Sequence, residues 1–150
     1  MLVSVSISAY NEENYLPAIF ESLVHQTYPH KQIEIVLINA MSTDRTRSLM
    51  NEFQENYQHE FYAIKIFDNP KKTLNTGLNL GFKHSDGDCY LKVDAHSHIP
   101  EDFIENNVDV IERGERVCGG RRPTIVETDD ELAKTLHIVE ESALGSSIAN

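Results

Sequence analysis

Strand-like and helix-like hydrophobic periods alternate along most of this chain, and polar residues follow one strand end after another. From Leu2 to Ser8, Val3, Val5 and Ile7 alternate with serines and run into Asn11-Glu12-Glu13, which predicts a strand and then a loop. The period then changes. Leu16, Ile19, Phe20, Leu23 and Val24 share one helical face, and Pro17 suits a first turn, where a missing N–H costs nothing. Ile33 to Ile38 is a nearly unbroken apolar run, as in a strand covered on both faces, and polar residues Asn39 to Asp44 follow it. Leu49, Phe53 and Tyr57 predict a second helix, and Phe61 to Phe67 a third strand turning at Asp68-Asn69-Pro70. Thr73 to His84 reads as a helix that Gly77 and Gly81 weaken. Asp86-Gly87-Asp88 is a turn, and Cys89 to Val93 is a fourth strand ending at Asp94.

Beyond it, Pro100 to Glu112 is helical on Ile104, Val108 and Ile111, with Gly114 as the stop. Val117 and Cys118 suggest a short strand. A last helix opens on the capping box Thr128 and Glu131 and continues through Leu132, Leu136, Val139 and Ala143. Alternation of this kind implies an α/β fold, a mostly parallel sheet flanked by helices with right-handed crossovers. Ligands on such sheets bind outside the carboxyl ends of the strands. The loops after strands one, two and four, Ser8 to Asn14, Asn39 to Asp44 and Asp94 to His98, are therefore the places to look for function.

Composition narrows the partners. The chain has 150 residues and a net charge of −11, with no block of Lys and Arg, so nucleic acids and anionic membrane surfaces are poor partners. An anionic ligand would have to be held by local amides or a metal ion. No apolar run is long enough to span a bilayer, and the start of the chain lacks a signal-peptide pattern. Cys89 and Cys118 are too few for a disulfide framework, and each lies in or beside an apolar run that suits a buried free thiol; a reducing, cytoplasmic compartment is the simplest setting. No internal repeat or linker interrupts the sequence, which reads as a single domain over 1–150.

Asp94-Ala95-His96-Ser97-His98 is the most informative cluster, because residues two apart at a strand end can aim a carboxylate and imidazoles to one side. Such oxygen and nitrogen donors suit Mn²⁺ or Mg²⁺ with a diphosphate, and Zn²⁺ less well because no thiolate is near in sequence. Asp94 capping the next segment, with surface histidines bonded to carbonyls, is the plain alternative. Asn11 to Asn14 could hydrogen-bond a base or ribose, or simply cap a helix; Ser42-Thr43-Asp44 reads more readily as an N-cap. Lys71 and Lys72 could reach a phosphate, although lysines in a turn are usually solvated. Gly119-Gly120-Arg121-Arg122 comes too late for a dinucleotide loop. Serine-hydrolase elbows, P-loops, Gly-x-Gly-x-x-Gly and Cys-x-x-Cys are all missing.

Taken in order, these segments resemble the nucleotide-sugar half of a family 2 glycosyltransferase of the GT-A (Rossmann-like) fold, from about Val3 to Gly120. VSVSISAYNEENYLPAIFESLVHQTYP resembles the family's first strand, its Tyr-Asn-Glu-Glu loop and a helix ending in Gln-Thr-Tyr-Pro. EIVLINAMSTDRT resembles the second strand and an Asp-Gly-Ser-Thr-Asp-type loop, and LNTGLNLGFKHSDGDCYLKVDAH the Asn-x-Gly helix and the Asp-x-Asp strand end, with Asn79 before Asp94. The Met-Ser-Thr-Asp and Val-Asp-Ala-His wording is most similar to succinoglycan-type exopolysaccharide enzymes. The resemblance implies a cytoplasmic enzyme, its parent at the inner face of a membrane. It would transfer a sugar with inversion from a nucleotide-diphosphate donor, a UDP-sugar, to an acceptor hydroxyl of a glycan or lipid-linked acceptor in polysaccharide or cell-envelope synthesis.

Carried over by position, Ala9, Tyr10 and Glu12 border the uracil and ribose. Asn39 stands where a carboxylate usually receives the base's imide N–H, Lys72 lies near the phosphates, and Asp94 lies near the ribose and metal. His96 takes the second metal-binding place. Asn39 and His96 each replace an Asp and so remove two negative charges from the site. The catalytic base is expected beyond Asn150, so the chain reads as an amino-terminal fragment, and Glu127, Asp129 and Asp130 are assigned no catalytic role. Two rival readings stand beside this one: a metal-dependent hydrolase built on Asp94, His96 and His98, and a non-catalytic acidic interaction domain.

Overall fold

The computed structural model describes residues 1–119. Four strands, β1 (Val3–Ala9), β2 (Ile33–Asn39), β3 (Ala63–Asp68) and β4 (Cys89–Asp94), form a parallel sheet in the order β3-β2-β1-β4. They alternate with helices α1 (Leu16–Val24), α2 (Thr46–Tyr57), α3 (Leu74–Lys83) and α4 (Phe103–Glu112), and a short 3₁₀ turn at His30–Gln32 leads into β2. The expected α/β architecture is thus present, and Met1–Cys118 form one compact unit. All seven residues of β2 are buried, as its apolar run requires of a central strand covered on both faces.

The serines of β1 do not face water. Ser4 and Ser6 are buried, because α3 and the turn before β4 press on that face. A β-carbon on Gly81 would overlap Ser6 Oγ, and one on Gly77 would stand 2.8 Å from Ser8 Oγ. The two glycines that lower helix propensity are what let α3 approach β1 so closely. On the opposite face Val3, Val5 and Ile7 join Leu16, Ile19, Leu23 and Ile104 in the main core.

A second departure from the apolar pattern is Glu34, fully buried near the start of β2. Its carboxylate is met by Ser4 Oγ, by the Lys65 ammonium and by the Asp86 N–H at 2.8 Å. This charged cluster lies at the amino edge of the sheet, opposite the edge where the loops of interest emerge.

Some boundaries differ from the sequence pattern. Phe61 is buried but precedes β3, since Tyr62 N–H bonds to Ile33 O at 3.0 Å and the strand begins only at Ala63. Val117 and Cys118 form no strand: Val117 is 86% exposed and Cys118 Sγ turns to Asn107 Oδ1 at 3.2 Å. Both cysteines are free and half-buried. The helix expected from Thr128 and Glu131 and the Gly120-Arg121-Arg122 segment lie outside the described residues, as do Glu127, Asp129 and Asp130.

Candidate functional site at the carboxyl edge of the sheet

Parallel pairing brings the strand ends together: Ala9 is in register with Asn39, Asn39 with Asp68, and Ser8 with Asp94. The loops that follow are stitched to one another. Asn11 N–H donates to Ser42 Oγ at 3.1 Å and Thr43 N–H to Asn11 Oδ1 at 2.9 Å. Glu12 N–H donates to Thr46 Oγ1 at 2.8 Å, Glu13 N–H to Asp44 Oδ2 at 3.1 Å, and Arg45 N–H to Glu13 Oε2 at 2.9 Å. At the first loop this replaces the helix-capping reading, since Tyr15, the N-cap of α1, makes no side-chain cap bond. At the second loop capping and stitching combine: Arg45 makes no cap bond, but Asp44 Oδ1 accepts the Thr46 N–H that opens α2 at 3.0 Å while its Oδ2 reaches back to the first loop. Burial tends to raise the Asp44 carboxyl, but hydrogen bonds from Thr46 and Glu13 outweigh it and hold Asp44 below the usual carboxylate range.

At the end nearer β3, Asn39 is 5% exposed and both halves of its amide are engaged. Its Oδ1 accepts Ser42 N–H at 3.0 Å, and its Nδ2 donates to Asp68 Oδ1 at 2.8 Å. Arg47, on α2, donates to the same Asp68 oxygen at 2.8 Å. Asn69 N–H bonds to Asn39 O at 2.8 Å and starts a turn in which Lys72 takes a left-handed backbone, with φ 56°. That turn carries the Lys72 ammonium to 5.8 Å from the centre of the Tyr10 ring, which is half exposed. Asn11 and Met41 are also left-handed, so each of the first three loops holds one such residue just past its strand. Lys71 is exposed and makes no ion pair among the described residues.

At the other end, Asp94 closes β4 and is paired with the Lys92 ammonium, which the sequence reading passed over. Ser97 N–H bonds to Asp94 O at 3.0 Å, so a tight turn presents His96. The exposed His96 ring lies 3.4 Å from Glu12 Oε1 and edge-on to Tyr15, with ring centroids 6.3 Å apart. Glu12 thereby links the loop after β1 to the one after β4. His98 goes elsewhere: its Nδ1 is 3.0 Å from Ser22 Oγ on α1, beside a cavity of about 400 Å³ lined by Ala18, Glu21, Ile99 and Pro100. The loop is anchored by the buried Gln26, whose Nε2 donates to Pro100 O at 2.7 Å and whose Oε1 accepts Ile104 N–H at 3.0 Å. This is the structural work of the Gln-Thr-Tyr-Pro segment.

No group of three or more His, Cys, Asp or Glu that could hold a metal exists among the described residues. The hydrolase reading, which needs Asp94, His96 and His98 as one cluster, fails on this point. For a divalent cation bound together with a diphosphate the donor set does fit. Asp94 and His96 offer one carboxylate oxygen and one imidazole nitrogen from a single turn, and a substrate's phosphate oxygens and water would complete the shell, as at sites that hold a hard cation through one or two carboxylates.

Comparison with known proteins decides the family. The pattern of Glycosyl transferase family 2 matches residues 4–147. The chain belongs to this family. Among curated relatives it is 33% identical over 111 residues to the dolichyl N-acetyl-alpha-D-glucosaminyl phosphate 3-beta-D-2,3-diacetamido-2,3-dideoxy-beta-D-glucuronosyltransferase of Methanococcus voltae, covering 74% of this chain and 34% of that protein. It is 38% identical over 93 residues to the probable glycosyltransferase YdaM of Bacillus subtilis, covering 62% of this chain and 22% of that one. The chain thus spans about a third or less of the length of these two relatives.

Among solved structures, TarS of S. aureus superposes with a TM-score of 0.64 at 25% identity, over 75% of this chain and 20% of that one. The mannosyltransferase PcManGT of Pyrobaculum calidifontis, in complex with GDP-Man and Mn²⁺, gives 0.71 at 24% identity, over 81% and 36%. The parallel sheet with flanking helices is the GT-A fold of these glycosyltransferases.

Within this family 2 domain, the candidates Ala9, Tyr10, Glu12, Asn39, Lys72, Asp94 and His96 all fall on one edge of the sheet. Sequence reasoning missed Asp68, Arg47 and Lys92. Asp68 carried a usable signal: it ends a strand, and the rule applied to strands one, two and four covers strand three equally.

Proposed function

We propose that this domain binds the nucleotide-diphosphate donor of an inverting sugar transfer, with the donor laid along the carboxyl edge from the loops after β2 and β3 to the turn after β4. The observation that carries this reading is the chain of contacts across that edge, from Asp68 through Asn39 to the loop after β1 and from Glu12 to His96. The base lies beside Ala9, Tyr10 and Asn39. Lys72 meets the phosphates, and Asp94 faces the ribose and, with His96, holds Mn²⁺ or Mg²⁺. When bound, that cation supplies positive charge at the diphosphate, where negative charge develops as the sugar leaves.

The chain's own residues bind and orient. With a protein of net charge −11, a dianionic ligand is repelled at long range, so the Lys72 ammonium and local backbone N–H groups carry the attraction. In the transfer, the acceptor oxygen forms a bond to the anomeric carbon as the carbon–oxygen bond to the diphosphate breaks. The acceptor's proton passes to a carboxylate base, and the nucleoside diphosphate departs. None of the described residues is assigned as that base. Support for a uridine donor comes from the resemblance of the opening loops. The same reading puts the parent protein in the synthesis of a polysaccharide or cell-envelope glycan of the succinoglycan type, acting on the cytoplasmic side of a membrane. No helix among the described residues is long and apolar enough to cross one.

Calorimetric titration with UDP, in the presence and absence of Mn²⁺, tests the reading. Metal-enhanced binding is expected, and Asp94→Ala should remove the metal-dependent part while leaving the circular dichroism unchanged. A titration that shows no heat with UDP under either condition contradicts the reading, and an Asp94→Ala variant with undiminished metal enhancement contradicts the assignment of Asp94.

A further inference from the structure

We infer that Asp68, and not Asn39, is the carboxylate that reads the base, and that it selects a base with an imide N–H, uracil or thymine. The inference rests on the reading of this edge as a nucleotide-diphosphate site and adds to it the group that discriminates between bases. Asn39 occupies the strand-end position where a carboxylate was expected, but it is buried and its amide is already used. Its Oδ1 faces a backbone N–H donor, Ser42, at 3.0 Å, which fixes the amide's orientation and directs Nδ2 to Asp68. The carboxylate that the chain lacks at 39 is found one strand over, in register with it, on a side chain that is 51% exposed.

The pattern of bonds at Asp68 defines what it can recognise. Both donors, Asn39 Nδ2 and Arg47 Nη1, arrive on Oδ1 at 2.8 Å. Among the described residues Oδ2 receives no hydrogen bond. One carboxylate oxygen is therefore held, and the other is left to accept a single N–H, with a guanidinium alongside that has further N–H groups to give.

A uracil or thymine edge presents acceptor, donor, acceptor, and matches that arrangement: the N3–H meets Oδ2 and a flanking carbonyl meets Arg47. Cytosine and adenine place a ring-nitrogen lone pair where the imide N–H would be, against an anionic oxygen. Guanine offers two adjacent donors, best met by both oxygens of a carboxylate, and here Oδ1 is already doubly bonded. The turn that follows Asp68 carries Lys72 to the Tyr10 ring, so the base-reading carboxylate and the phosphate-binding ammonium are placed by the same short segment.

The test is titration of the whole chain with UDP, CDP and GDP in the presence of Mn²⁺, repeated with Asp68→Asn. That substitution keeps the shape and turns the acceptor facing the base into a group that can donate. The expected result is UDP preferred by the unsubstituted chain. In Asp68→Asn, UDP affinity should fall about tenfold to a hundredfold, the loss of one hydrogen bond to a charged group. CDP affinity should hold or rise, so that the UDP-to-CDP preference collapses. A variant that binds UDP as before, or one that loses UDP and CDP equally, overturns the inference while leaving the nucleotide site standing. An unsubstituted chain that binds none of the three overturns both.

Discussion

Glu34 and Lys65 show at the scale of single residues why a buried charge is tolerable only with its partner. The Glu34 carboxylate is fully buried, and Lys65, 27% exposed at its side chain, brings it a counter-charge and also reaches Asp86 at 2.7 Å. Lys65→Ala leaves the carboxylate with only Ser4 and the Asp86 N–H, and should cost about 2–3 kcal/mol of stability in urea unfolding, somewhat below the range for breaking a fully buried pair because Lys65 is partly solvated. A melt within experimental error of the parent would contradict this.

Burial would lower the Lys65 ammonium, but Asp86 and Glu34 outweigh it and hold it above its usual range. Its contribution to stability is therefore complete below the unfolded-state value of about 10.4 and is lost as pH rises through the raised folded value. Asp44 has the opposite sign: its depressed carboxyl stabilises above about 3.9 and stops doing so as pH falls through the folded value. None of this pairing was legible in the sequence. Glu34 looked like a flaw in an apolar run, because which strand lies beside β2, and in which register, is a tertiary fact.

Helix α3 illustrates the element scale. Its glycines were legible only as a weakness, since propensity speaks of the isolated helix. Their purpose appears once Ser6 and Ser8 of β1 stand beneath them with hydroxyls that have no hydrogen-bond partner among the described residues. Gly81→Ala gains helix propensity of up to about 1 kcal/mol but overpacks against Ser6 Oγ, and the overlap should win by about 1–2 kcal/mol. Ser6→Ala, which removes an unpaired buried hydroxyl, should be neutral or slightly stabilising. The double variant should recover most of the Gly81→Ala loss, a coupling of about 1 kcal/mol or more in a double-mutant cycle. Strict additivity of the two would show that helix and strand are not in contact there. The four strands and four helices themselves were readable, because each period was sustained long enough to be distinguished. Val117 and Cys118 were not, since two residues carry no period.

At the scale of the whole molecule, the sequence rule that ligands sit past the carboxyl ends of parallel strands located the candidate edge, and the sheet order explains why. With β1 and β2 central, the loops that follow them meet in the middle, and those after β3 and β4 flank them. The rule could not say which side chains face outward. Asn39 is turned inward by Ser42, Asp68 takes the exposed position, and His98 leaves the cluster for Ser22.

The central claim is that one edge of this sheet receives the nucleotide. Backbone amide spectra of the ¹⁵N-labelled chain, recorded while UDP and Mn²⁺ are added, test it most directly. Shifts should concentrate at Tyr10, Asn39, Asp68 and Lys72, broadening at Asp94 and His96, and the Ser4, Glu34 and Lys65 signals at the opposite edge should stay in place. Perturbation centred on Ser4, Glu34 and Lys65, or none at all, would contradict it.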